Sequence, residues 1–252
     1  MAAAQGAGPG RRRAGDARVD HQPGVVLHAT AWRETSLIVE AFTRDYGRMS
    51  LVARGAKRPA SQHRGMLAPF APIAISWSGR NEIKNLVRVE WVGGLAPLRG
   101  NALLAAFYAN ELLVRLLARG DPHERLFASY LALLGSLGES RLEAALRTFE
   151  LDLLREVGYA VPLDRCADGE LIDAHSDYVF RAEAGARRVQ PGATPDAGER
   201  ISGTTLLAMA RSDFREAGVA AEAKVMLRYL IRYHLDGKPL NTRRILLDLQ
   251  QL

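Results

Sequence analysis

A change of hydrophobic period at Gly93-Gly94 constrains this chain more than any other feature. Over residues 24–92 apolar and polar residues alternate with period two, as in strands that bury one face. Beyond the two glycines, apolar residues recur every three to four positions, as in helices that bury a stripe. Such a chain folds as a strand-rich unit followed by a helical one, and Pro97 and Gly100 place the boundary near 93–100.

Five runs carry the period-two pattern: residues 25–30, 36–42, 48–54, 73–77 and 82–92. Leu37, Val39 and Ala41 share one side of the second run, and Met49, Leu51 and Ala53 share one side of the third. The turn between them ends at Gly47, which is free to take positive φ. In the last run Lys84, Arg88 and Glu90 are expected on the face opposite Val89 and Trp91. Five strands in so few residues, without a long helix, predict a closed barrel of the oligonucleotide-binding (OB) type. The fold class is therefore α+β with two domains: a five-stranded OB barrel over 23–94, then a mainly α-helical domain over 95–252. Residues 1–22, rich in Ala, Gly and Arg, read as a disordered basic tail. Helices are expected over 101–119, 123–137, 140–158, 204–210, 220–235 and 242–250, the third opened by a Ser140-x-x-Glu143 capping box. An irregular excursion with a short β-pair near 177–182 occupies 159–202.

Several chemistries are excluded or disfavoured. The chain has no phosphate-binding GxxxxGK[ST] loop, no GxSxG elbow and no HExxH. Its six histidines include no i, i+4 pair. The single cysteine, Cys166, rules out an internal disulfide and an all-cysteine metal site. Asp164, Asp168, Asp173 and His175 surround it in sequence, yet structural zinc prefers several Cys or His ligands at tight spacing, so no metal is expected. The acids Asp152 and Glu156 lie near arginines on one helix and read as solvated charges. No apolar run approaches the ~18 residues of a membrane span, and no apolar leader is evident, so a cytoplasmic protein is expected.

The charge distribution is more specific. Net charge is +6, and residues 23–92 carry ten Lys/Arg against five acids, while the rest is nearly balanced. Such asymmetry fits an anionic partner, of which nucleic acid is the commonest; anionic lipid and an acidic protein tail are others. The candidate DNA contacts are Arg33, Arg44, Arg48, Arg54, Lys57, Arg58, Arg64, Arg80, Lys84 and Arg88, many of them in loops that flank the binding face of an OB barrel. All three tryptophans also lie here. Trp77 and Trp91 alternate with apolar residues and are expected in the core; Trp32 and Tyr46 are either packing residues or platforms for base stacking.

The order of short motifs resembles the bacterial RecO family of recombination mediators. The series runs through Val26-Leu27-His28, Glu34-Thr35-Ser36-Leu37-Ile38-Val39, Gly47-Arg48, Ala53-Arg54-Gly55-Ala56-Lys57-Arg58 and Leu67-Ala68-Pro69-Phe70. It continues through Asn110-Glu111-Leu112-Leu113, Arg147-x-Phe149-Glu150, Val157-Gly158-Tyr159 and Gly237-Lys238-Pro239-Leu240. The resemblance implies an OB barrel followed by a helical domain, binding of single- and double-stranded DNA, and annealing of complementary strands. It implies work with RecR to load RecA onto DNA coated by the single-stranded-DNA-binding protein SSB, without an enzymatic step, cofactor or membrane. It also implies contact between the helical domain and the acidic, apolar C-terminal tail of SSB. Arg147 stands where such a basic contact is expected, and it is equally an i, i+4 partner of Glu143. Many members carry a four-cysteine zinc module; the equivalent stretch here, 163–189, keeps only Cys166, so no zinc is expected. Two other readings of the residues stay open: an RNA-binding OB protein, and a metal-dependent nuclease using the acids of 164–177.

Overall fold

The computed structural model describes residues 18–63, 65–94, 97–138, 142–160, 162–190, 198–242 and 244. Five strands form the first unit: β1 (Arg18–Trp32), β2 (Ser36–Thr43), β3 (Gly47–Ala53), β4 (Pro72–Ser78) and β5 (Ile83–Trp91). They close into a barrel in the order β1-β2-β3-β5-β4. The long first strand makes closure possible, because its early residues pair with β4 (Arg18↔Ser78) and its later ones with β2 (Trp32↔Ser36). A parallel β3–β5 contact completes the ring. β1 thus opens at Arg18, inside the stretch read as tail. Apart from Val19, which packs against the barrel core, its first residues are polar and have no hydrophobic period; backbone pairing with β4 holds them, and a side-chain pattern cannot show that.

The barrel interior follows the period-two reading. Val39 and Ala41 of β2, and Met49, Leu51 and Ala53 of β3, pack inside with Ile73, Ile75 and Trp77 of β4. The opposite face of β1 and β2 is also apolar: Val25, Leu27 and Phe42 belong to the core of the helical unit instead. The two units share a seam as a result.

The helical unit comprises α1 (Gly100–Leu116), α2 (Glu124–Ser136), α3 (Leu142–Glu156), α4 (Gly203–Ala210) and α5 (Ala217–His234). The Ser140 cap and most of the helix expected over 242–250 lie outside the described residues. The excursion holds a three-stranded sheet, β6 (Asp177–Arg181), β7 (Gly185–Arg188) and β8 (Glu199–Ser202), ordered β7-β6-β8. Tyr178, Phe180, Ala186 and Ile201 turn from it into the helical core, which anchors the segment through packing.

Candidate nucleic-acid interface

One end of the barrel gathers unneutralised cations. The loop from β1 to β2 (Arg33, Glu34 and Thr35) meets the connection that leaves β3, because Lys57 N donates to Thr35 O at 2.9 Å. Gly55, at φ +68, lets that connection turn, and Arg58 N closes the turn onto Gly55 O at 3.0 Å. Arg33, Arg54, Lys57 and Arg58 are all exposed there, and none makes an ion pair among the described residues. The Arg33 guanidinium lies 4.3 Å over the Trp32 ring, which leaves its edge free for acceptors. Arg64 falls outside the described residues.

The remaining candidates do not join this cluster. Arg44 is held by Asp45 at 2.6 Å and Arg88 is paired with Glu90. Arg48 is mostly buried, giving Nη1 to Glu40 at 3.2 Å and Nε to Leu117 O at 3.1 Å. Arg80 is exposed without an ion pair among the described residues, but it lies in the turn from β4 to β5, ahead of Ile83, which pairs with Ser50 at the middle of β3. Lys84 and Arg88 are not on one face. The β4–β5 register shifts at Ser76/Trp77, where β5 advances two residues against one, so Leu86 and Val89 both turn inward and Lys84 falls in phase with Leu86.

The outer face of β2 and β3, which carries ligand in many OB barrels, is closed here. Glu40, only 4% exposed, accepts from Ser50 and from Arg119 Nη2 at 2.8 Å as well as from Arg48. The Phe42 ring packs edge-on to Phe127 at 5.5 Å. Asn110 Nδ2 donates to Leu27 O at 2.6 Å and its carbonyl accepts from Tyr130. The helical unit therefore occupies that face, and the basic loop end stays open.

The aromatic expectations divide. Trp77 is buried, with Tyr46 edge-on to it at 5.1 Å, so Tyr46 is a packing residue. Trp91, expected in the core, is 65% exposed. As the last residue of β5 it pairs with Ile73, one step from the start of β4, so its row runs past the barrel rim with nothing to cover it. Trp32 is half-buried beneath Arg33 and remains within reach of a base.

A second surface lies among α1, α3 and α5. Leu104, Leu146, Ile231, Leu235 and Leu240 line a groove of about 560 Å³, rimmed by Lys224, Arg228, Arg232 and Lys238. Arg147 is on its lining but is only 4% exposed. Its Nη2 donates to Glu150 Oε1 at 2.7 Å, while Nε and Nη1 are buried without a hydrogen-bond partner among the described residues. Tyr108 donates to the same carboxylate at 2.6 Å. Burial pushes the Glu150 carboxyl up, against the pull of Arg147. A buried guanidinium with two idle nitrogens is costly unless an anion completes it. The rim cations Lys224, Arg228 and Arg232 are invisible to sequence reasoning, because spaced along α5 they look like a solvated face; only the Gly237-Lys238-Pro239-Leu240 turn stands out in the sequence.

Among the described residues no three metal-ligating side chains come together, and no helix is long and apolar enough to cross a membrane. Cys166 is buried, its thiol pushed up by desolvation, and its backbone joins the small sheet through a bridge to Ala186.

Known families and proteins match this architecture. A family described as Recombination protein O N terminal matches residues 19–95, and one described as Recombination protein O C terminal matches 98–244. The chain is 50% identical over 236 residues to the DNA repair protein RecO of Ralstonia nicotianae, covering 93% of this chain and 86% of that one. It is 51% identical over 241 residues to its namesake from Cupriavidus pinatubonensis, covering 94% and 82%. Against the protein of that name from Aromatoleum aromaticum it is 48% identical over 237 residues, covering 93% and 98%.

Proposed function

The chain belongs to the RecO family of DNA repair proteins, and from that premise we propose that it is a recombination mediator that holds DNA at the loop end of its barrel. The supporting observation is the convergence of Arg33, Arg54, Lys57 and Arg58, four exposed cations without ion-pair partners among the described residues. Each phosphate they meet releases counterions, which gives affinity without base preference. Trp32 supplies a face for a base. Because such contacts read backbone rather than sequence, single and double strands both fit. A surface that neutralises phosphate also brings two complementary strands together, and annealing needs no bond-making side chain. Arg64, expected in the same cluster, would add to it. Arg44, Arg48 and Arg88 are already paired, and Arg80 and Lys84 lie away from the cluster, so they contribute less.

The groove of the helical unit is the docking site for the acidic, apolar tail of SSB. Its apolar floor suits an aromatic or aliphatic terminus, and its cationic rim and the unsatisfied Arg147 suit carboxylates. With one surface on DNA and another on SSB, the protein acts in the cytoplasm with RecR to clear SSB-coated strands for RecA.

A salt titration of single-stranded DNA binding tests the barrel site. Replacing Arg54, Lys57 and Arg58 together by Gln reduces the slope of log K against log salt by about 2, at about 0.7 for each phosphate no longer neutralised. Replacing Arg44 and Arg88 leaves it unchanged. The opposite ranking overturns the assignment, and a strong preference for RNA over matched DNA turns the function toward RNA binding.

A further inference from the structure

The mouth of the helical groove already holds a carboxylate. Glu143 of α3 accepts from Lys224 Nζ of α5 at 2.8 Å, so the pair spans the opening from one helix to the other. The same carboxylate stands 3.9 Å from Arg147 Nη1, close enough to neutralise it partly and too far to bond it. Glu143 is 57% exposed at its side chain, so the pair is not needed to satisfy a buried charge. Beneath it, two Arg147 nitrogens have no acceptor among the described residues.

We propose that Glu143 is a built-in competitor for the acidic ligand, occupying the Lys224 ammonium until a peptide carboxylate displaces it. The proposal rests on the groove being the acidic-tail site. It assigns Glu143 a role in specificity. An apolar peptide without acids leaves the Glu143–Lys224 pair across the mouth and meets a narrowed entrance. A tail with several carboxylates takes Lys224, reaches Arg147 and replaces one intramolecular pair by two or more intermolecular ones, while Glu143 turns to solvent. The first cation it takes is matched by an internal pair broken, so the complex forms and releases readily, as a protein passing along SSB-coated strands requires.

The test is fluorescence anisotropy of the full-length chain with a labelled peptide bearing an acidic run, an apolar last residue and a free terminal carboxylate. Glu143→Gln tightens binding roughly 3- to 5-fold, the scale of one exposed ion pair. In a Lys224→Met background the same substitution gains less than about 2-fold, because no ammonium remains to be freed and only the weak hold on Arg147 is released. Arg147→Ala abolishes binding; where its loss of burial unfolds the chain, Arg228→Ala on the exposed rim serves in its place. If the wild type binds and the Arg147 or Arg228 variant fails, yet Glu143→Gln binds no better, the competitor role is overturned while the groove assignment stands. If neither the wild type nor Glu143→Gln binds the peptide, both fall. Binding seen only on Glu143→Gln supports the competitor role directly.

Discussion

Arg48 and Lys57 have the same charge and neighbouring places in the sequence, but they do different work. Arg48 completes the shell around the buried Glu40, whose other partners are Arg119 and Ser50. Removing one partner of a buried carboxylate leaves a desolvated charge short of a bond, so Arg48→Ala lowers stability by about 2–3 kcal/mol. Lys57 makes no ion pair among the described residues, and Lys57→Ala changes stability by less than about 0.5 kcal/mol. Paired thermal melts and DNA titrations separate the two: Arg48→Ala moves the melt, and Lys57→Ala moves the affinity. Gly47 is a third case. It sits at φ +64, and a Cβ there would stand 1.8 Å from Asp121 O, inside the seam between the units. Gly47→Ala is therefore destabilising by more than about 2 kcal/mol, read as a fall in Tm. Sequence alone marks Gly47 as a turn residue, but it cannot show that the loop holding Asp121 presses on it. Nor can it tell Arg48 from Lys57, since the difference is made by Glu40, which faces outward along a strand and looks solvated until the helical unit covers it.

At the level of elements, periodicity finds all five barrel strands and five helices, all to within a few residues except β1, whose first seven residues it misses, and it errs where register or termini break the period. The shift opposite Ser76/Trp77 puts Lys84 and Arg88 on different faces, while Trp91, in phase with the buried Val89, is exposed because β5 ends there. A bulge leaves no fixed mark in composition, so one slipped residue inverts every later assignment on the strand. The groove is illegible for a related reason: its rim is assembled from α3, α5 and the turn after α5, and no one stretch of sequence contains it. That turn is tied down by Glu111 of α1, whose carboxylate accepts from Asn241 N at 2.8 Å and from Thr242 N at 2.9 Å. Burial alone would raise the Glu111 pKa, but the bonds from Thr242 and Asn241, with Arg115, outweigh it and hold the carboxyl below its usual range. A carboxylate depressed in the folded state stabilises it above the unfolded pKa of ~4.3, and that contribution is lost as pH falls through the folded value. Protection of the Asn241 and Thr242 amides against hydrogen exchange is accordingly full at pH 7 and falls in acid below about pH 4, ahead of the β2 amides. Glu111→Gln gives the same loss at pH 7. Equal protection in the variant would detach this turn from Glu111.

Across the whole molecule the seam decides behaviour. The barrel core is small, and a unit of that size gains much of its stability from what covers it. Phe42 leaves the barrel to pack with Phe127 and Tyr130, while Asn110 and Arg119 reach back from the helical unit to Leu27 O and Glu40. Contacts in both directions couple the units, so the chain unfolds in one transition. The sequence provides two separate reporters, because all three tryptophans lie in the barrel and the five helices α1–α5 lie beyond it. Tryptophan fluorescence and helical circular dichroism followed against urea give superimposable curves for the wild type. Phe42→Ala removes a large side chain from the shared core at a cost of about 3–5 kcal/mol and uncouples the units, so the two curves separate. This matters for function because the surfaces assigned to DNA and to the SSB tail lie on different units. A rigid seam fixes their separation, so that a strand displaced at one is presented at a constant distance from the other. Wild-type curves that already separate would mean the two proposed surfaces move independently, and the protein would then work as two tethered binding modules.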